Sequence, residues 1–230
     1  QAVNKSGRVF LDDFCKDHDI SLFKSTHINN DDCIEMIKKH RIDWLYIIGW
    51  SQIAGICVLD ATSRGALGMH PTLLPKGRGR AAIPWAILKG LKETGVTMFK
   101  LDEGVDTGAI AAQVVIPLNS KTDAAELYDL VDQAHINLVQ QTFHKLNDET
   151  LTLTVQEQSA ATEWPGRRPS DGEINLYGSV IDAERLVRAV TKPYPGAFVI
   201  LDGEKHIIWK SKIVATETGN LCIKFEDGFL

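Results

Sequence analysis

The sequence predicts an α/β fold followed by a smaller, mostly β unit, and three observations carry that reading. Strand-like and helix-like stretches alternate from residue 43 to residue 117, as expected of a parallel or mixed sheet with helices on its faces. A long amphipathic stretch follows, with Leu127, Leu130, Val131, Ala134 and Leu138 at offsets 0, 3, 4, 7 and 11, the stripe of a helix laid on a core. Beyond residue 150 the character changes to short alternating runs separated by Asp-Gly and Thr-Gly-Asn turns, which read as strands and hairpins. The expected division is therefore 1–150 and 151–230.

Residues 1–7 are polar and loop-like. Residues 8–18 space Phe10, Leu11, Phe14 and Cys15 as a helix does. Residues 20–23 are short and extended. The Asn29-Asn30-Asp31-Asp32 turn can cap a helix over 32–40 with Ile34 and Ile37 inward. The run DWLYII, 43–48, is continuously apolar, as expected of a parallel strand buried on both faces. It ends at Gly49-Trp50-Ser51-Gln52, and ligands of open α/β sheets sit outside the carboxyl ends of strands. Residues 53–59 read as a helix, and 65–69 as a short strand ending on His70. The turn HPTLLP and the basic loop KGRGR come next. Residues 83–91 are helical, with Pro84 tolerated in the first turn. Residues 95–101 alternate as a strand leading into the loop 102–108, and 109–117 form another strand. Thr122 or Asp123 can cap the long helix, which runs to about Leu146. Residues 151–156 alternate, 164–172 are rich in Pro, Gly and Arg, and 182–190 form a short helix. AFVIL, HIIWKSKIVA and LCIKF complete the chain as strands.

The 230 residues are 44% hydrophobic and 24% charged, the balance of an ordinary soluble globular protein. A formal net charge of -5 gives no general electrostatic reason to bind nucleic acid or an anionic membrane. The four cysteines are scattered without a CxxC pair, so reduced thiols in a cytoplasmic protein are expected, and no metal site. No stretch approaches the length of a membrane-spanning helix.

Two residues stand out chemically. His70 sits in an exposed-looking turn stiffened by Pro71 and Pro75, and Asp106 sits between Gly104 and Gly108. If both loops lie at the same sheet edge, the pair can meet. An imidazole beside a carboxylate suits acyl transfer to an amine, with His taking the amine proton and no Ser or Cys nucleophile required. Each residue alone could instead cap its own turn.

The segments HPTLLPKGRGRAAIPWAILKG and ETGVTMFKLDEGVDTGAIAAQ resemble the folate-dependent formyltransferases, which use 10-formyltetrahydrofolate. ATEWPGRRPSDGEI, LVRAVTKPYPGAF and HIIWKSKIV are similar to the second domain of methionyl-tRNA formyltransferase and of the sugar-nucleotide N-formyltransferases. The resemblance covers the chain from about Asp43 onward. It implies a Rossmann-like formyltransferase domain with a smaller mostly β C-terminal domain. Family members open with a βαβ unit of ~30 or more residues before the region of Arg8, and the expectation is that the sequence in hand omits it.

The resemblance also implies a catalytic Asn-His-Asp trio. His70 and Asp106 match its last two members, while the Asn position, two residues before His70, is Gly68. No asparagine occurs between Asn30 and Asn119. In the family this Asn donates to the developing oxyanion, and losing such a donor costs on the order of 3 kcal/mol. His70 as imidazolium, a backbone N–H or a water would then take over, or the chemistry has changed. The hydrolase domain of formyltetrahydrofolate dehydrogenase also lacks the Asn, which keeps hydrolysis open beside transfer.

Gly49 and Trp50 match the loop whose backbone reads the pterin, and Asp102, Glu103, Gly104 and Val105 match the opposite wall. Packing in the core is the alternative for Trp50. Lys76, Arg78 and Arg80 could bind a pyrophosphate from a glycine-spaced loop, or form a solvated surface. Tyr194, with Arg167 and Arg168, could line the acceptor side or build a structural corner. The expected reaction is formyl transfer from 10-formyltetrahydrofolate to the amino group of a nucleotide-linked amino sugar. The alternatives are methionyl-tRNA as acceptor, hydrolysis of the formyl donor, and a folate-binding protein without activity. The acidic balance argues against the tRNA acceptor, and the resemblance suggests a homodimer.

Overall fold

A computed structural model describes residues 9–50, 52–217 and 222–230. Two short helices, α1 (Asp12–Asp17) and α2 (Asp31–Lys39), precede strand β1 (Trp44–Ile47). Helix α3 (Ile56–Leu59) leads to β2 (Gly65–His70), the two-residue β3 (Arg78–Gly79) and α4 (Ala82–Leu88). Then come β4 (Glu93–Lys100), β5 (Ile110–Pro117) and the long α5 (Ala124–Asn147). The C-terminal part holds β6 (Glu163–Trp164), α6 (Val180–Ala189), the hairpin β7 (Ala197–Leu201) and β8 (Glu204–Ile208), and the pair β9 (Lys224–Phe225) and β10 (Gly228–Phe229). Among the described residues no helix is long and apolar enough to cross a membrane.

The main sheet has the order β1-β2-β4-β5. It is mixed: β1 runs parallel to β2, whereas β2, β4 and β5 are successively antiparallel. The DWLYII run was expected to be buried on both faces, yet all of β1 is only half-buried. Among the described strands β1 pairs only with β2 and forms the edge. Conversely, the alternating pattern of β4 does not give one wet face. Thr94 to Phe99 are all buried, because β4 lies between β2 and β5 and packs against α5. The buried Thr97 hydroxyl is satisfied, donating to the Thr72 carbonyl at 2.7 Å and accepting the Leu74 N–H at 3.0 Å.

Helix α5 follows the apolar stripe closely. The Asp123 carboxylate accepts the Glu126 N–H at 3.0 Å and caps it. Leu127, Val131, Ala134 and Leu138 are buried, but Leu130 is 38% exposed. At 3.6 residues per turn it falls on the border of the stripe. The core then runs without a break from Leu67, Val96 and Met98, through α5, to Val187 on α6 and Val199 on β7.

Several short runs shift from expectation. The first helix begins at Asp12, and Arg8 lies outside the described residues. Residues 151–156 form no strand; Thr154 alone bridges to Ile110. HIIWKSKIVA is a strand only to Ile208, after which Val214 makes one bridge to Phe229. The strand β6 returns to pair in parallel with β3, tying the start of the C-terminal part to the basic loop.

Candidate active site

His70 closes β2 and is 8% exposed, so the turn is buried rather than exposed. Thr72 and Leu74, almost fully buried, fold the turn inward. His70 Nε2 donates to the Gly77 carbonyl at 2.8 Å, since a carbonyl can only accept. Nδ1 stands 3.6 Å from Asp106 Oδ2. That carboxylate oxygen also accepts the Gly79 N–H at 2.9 Å. Gly79 has φ +103°, and a Cβ there would lie 2.5 Å from the Trp164 carbonyl oxygen. Only glycine brings this N–H to Asp106 while β6 stays paired.

Above the pair opens a cavity of about 530 Å³. Gly49 and Trp50 line it, as do Asp102, Gly104 and Val105, together with Gly68, His70, Asp106 and Arg80. Trp50 is 51% exposed and Val105 56% exposed, so Trp50 is a cavity wall rather than core. Asp102 shapes its own loop, its Oδ1 accepting the Gly104 N–H at 3.1 Å and the Thr107 hydroxyl at 2.6 Å. Glu103 is exposed and does not line the cavity. At Gly68, the place of the family's Asn, a Cβ would meet Leu101 Cδ2 at 2.7 Å. Leu101 fills the room that a side chain there would need.

The basic loop divides. Arg80 is exposed and lines the cavity, and Lys76 is exposed outside it. Arg78 is 5% exposed; its Nε and Nη2 donate to Gln156 at 3.2 and 2.8 Å and its Nη1 to Gln158 at 3.0 Å. Its guanidinium is spent inside the protein and cannot meet a pyrophosphate in this arrangement. Tyr194 lies away from the cavity, its hydroxyl 3.0 Å from that of Tyr128. Burial, together with the Tyr128 hydroxyl, pushes its phenol up. Arg167 stacks over Trp85 at 5.1 Å and donates to the Asp171 carbonyl at 2.7 Å, the structural corner of the two readings.

Sequence reasoning missed Gln156. It is 4% exposed, and its amide donates to the Asp106 and Gly108 carbonyls at 2.8 and 2.7 Å while its oxygen holds Arg78. One side chain thus fastens the Asp106 loop to the basic loop. Asp106 itself has φ +55°, a region costly for a non-glycine residue unless its surroundings fix it. Only a polar residue closing an apolar alternation hinted at this role.

The comparisons identify the class. A family model for formyl transferase matches residues 7–142, and one for the formyl transferase C-terminal domain matches 167–225. The chain belongs to the formyltransferase family. It is similar to a methionyl-tRNA formyltransferase of Agathobacter rectalis, 31% identical over 197 residues, which cover 86% of this chain and 63% of that protein. The chain therefore spans less than two thirds of that relative. Among solved structures it superposes on HypX from Aquifex aeolicus in complex with tetrahydrofolic acid, with TM-score 0.72 and 20% identity over 85% of this chain and 36% of the other. A sugar N-formyltransferase from Shewanella sp. gives TM-score 0.69 and 20% identity over 82% of this chain and 77% of the other. At such identities the likeness is one of fold.

Proposed function

We propose that the chain serves formyl transfer from 10-formyltetrahydrofolate to the amino group of a nucleotide-linked amino sugar. The observation that carries this reading is the 3.6 Å approach of His70 Nδ1 to Asp106 Oδ2 at the base of a cavity between two loops. A volume of about 530 Å³ is within the usual range for small-ligand sites, and the open walls at Trp50 and Val105 suit a flat pterin. The bound folate supplies the formyl carbon. The relative solved with tetrahydrofolic acid shares the fold, which supports that choice of donor.

The protein's part is to move a proton. Because Nε2–H is held by the Gly77 carbonyl, the lone pair lies on Nδ1. As the amine nitrogen bonds to the formyl carbon, Nδ1 takes its proton, and Asp106 stabilises the imidazolium. The proton then passes to the departing folate nitrogen as its bond to the formyl carbon breaks. Gly68 offers no side-chain donor to the oxyanion and the Gly79 N–H is engaged by Asp106. On this account the Nδ1–H of the imidazolium serves as a donor to that oxygen, shared with Asp106. In this reading Arg80 meets the acceptor's pyrophosphate, with Lys76 next to it in the loop. The family resemblance also supports a homodimer, and the four scattered cysteines support a cytoplasmic location.

A second reading, methionyl-tRNA as acceptor, is favoured by the 31% identity to a protein of that name. The deciding experiment incubates the chain with 10-formyltetrahydrofolate and, separately, a panel of nucleotide-linked amino sugars, methionyl-tRNA, or no acceptor. A formylated amino sugar is the expected product. Formyl-methionyl-tRNA would establish the second reading, and formate released without any acceptor would make the protein a hydrolase.

A further inference from the structure

Helix α4 stands between two cavities. Ala82, at its start, lines the His70 cavity, whereas Ile87, near its end, lines a separate cleft of about 850 Å³. Five of the 16 residues around this cleft are basic: Lys92, Lys121, Arg185, Arg188 and Lys212. One, Glu184, is acidic, in a chain whose 30 acidic residues outnumber its 25 basic ones. Positive charge is therefore gathered here against the overall balance.

Glu184 does little to offset it. Its carboxylate is taken by Arg188 Nε at 2.7 Å, and Arg188 Nη1 donates to the Thr122 carbonyl at 2.8 Å, pinning α6 to the start of α5. Arg185 has only a longer 3.6 Å approach to Asp182, a side chain 72% exposed, and such pairs are weak in water. Among the described residues Lys92, Lys121 and Lys212 have no carboxylate within ion-pair distance. They come from three places in the chain, just before β4, between β5 and α5, and after β8. Tertiary folding thus brings like charges together, at a cost that a bound anion would relieve. The cleft is also lined by Ser211, whose hydroxyl is buried without a hydrogen-bond partner among the described residues, and buried polar atoms are rarely left so. Ile87, Leu91, Leu118 and Ile213 supply apolar wall beside the cations.

We infer that this cleft binds a diphosphate-bearing small molecule, its phosphates held by Lys92, Lys121, Arg185 and Lys212. Several convergent cations are the chemistry that phosphate oxygens demand, and the apolar wall offers a surface for a nucleoside. An extended polyanion fits less well, since the whole chain carries a net charge of -5.

The test is calorimetric titration of the full chain with uridine diphosphate and, separately, with inorganic pyrophosphate. Both should bind saturably and more weakly as salt is raised. The Lys121→Ala/Lys212→Ala double variant, both lysines being exposed, should weaken binding by roughly tenfold or more. Arg80→Ala should remove only whatever diphosphate binding the His70 cavity contributes, and the binding lost in the double variant should remain. Tighter binding of uridine diphosphate than of pyrophosphate would assign the apolar wall to a nucleoside, and equal binding would assign the site to the diphosphate alone. Absence of binding, or binding lost with Arg80→Ala and unchanged in the double variant, would overturn the inference. So would a short RNA duplex held through these lysines that neither probe displaces.

Discussion

The floor and the walls of the His70 cavity are built differently. On the floor, His70 and Asp106 are held by hydrogen bonds to backbone. Arg78 and Gln156, which do not line the cavity, bond to one another, and Gln156 also to the Asp106 carbonyl. Arg78 and Gln156 are among the least exposed polar residues of the chain. The walls carry Trp50 and Val105 largely in solvent, and Gly49 has nothing within 4 Å of where a Cβ would stand. Proton transfer tolerates little error in distance, whereas a wall that receives a ligand needs an open surface. The difference teaches where substitutions should hurt chemistry, where they should hurt the fold, and where they should only weaken binding.

The largest effect is expected at His70. His70→Gln, whose amide nitrogen can stand where Nε2 does, keeps a donor for the Gly77 carbonyl but removes the base, and turnover should fall by about a thousandfold or more with the fold intact. Steady-state formyl transfer beside a thermal melt checks this; a variant retaining most of its turnover would put the base elsewhere. Gln156→Leu comes next. It leaves the Arg78 guanidinium and two loop carbonyls short of partners, and should cost about 3 kcal/mol in denaturant unfolding. Gln156→Glu separates the two roles, because it keeps an acceptor for Arg78 and loses both donors to the Asp106 loop. Its stability should fall less than that of Gln156→Leu, while kcat still drops.

Gly68→Asn probes the boundary between floor and wall. It would place the family's Asn side chain where the structure leaves little room. Leu101 occupies that space, so the variant should lose about 1–2 kcal/mol by overpacking, and Leu101→Ala in the same chain should restore it. A stable Gly68→Asn protein would mean that Leu101 moves aside freely. The smallest structural effect belongs to Arg80→Ala. Stability should change by less than about 0.5 kcal/mol, while the Michaelis constant for the sugar nucleotide rises and that for the folate stays level. An equal rise in both constants would give Arg80 a part in the whole cavity rather than in the acceptor side.

How legible these features were depended on whether the signal was local. The α5 stripe and its Asp123 cap lie within one helix, and both were readable. The approach of His70 to Asp106 could be anticipated because glycine and proline mark both loops, though burial of His70 could not. Strand direction was not legible: nothing in the residues of β4 and β5 encodes that they run antiparallel to their neighbours. Arg78 was misread because KGRGR looks like any solvated basic loop. Its partners Gln156 and Gln158 lie about eighty residues away, and nothing near Arg78 announces them. For Tyr194 the sequence left an acceptor-side and a structural role open, and its partner, Tyr128 on α5, is likewise far from it in sequence.

The pairing of β3 with β6 bears on the order in which the molecule assembles. The Arg78 and Arg80 amides donate to the Thr162 and Trp164 carbonyls, and the Gly77 amide to the Thr162 hydroxyl, 85 residues downstream. Closing so long a loop is slow relative to forming local structure. The turn that receives the His70 ring therefore becomes complete only after the chain has been synthesised past Trp164 and has folded back, and a nascent chain ending before that residue would hold the sheet without a finished catalytic floor.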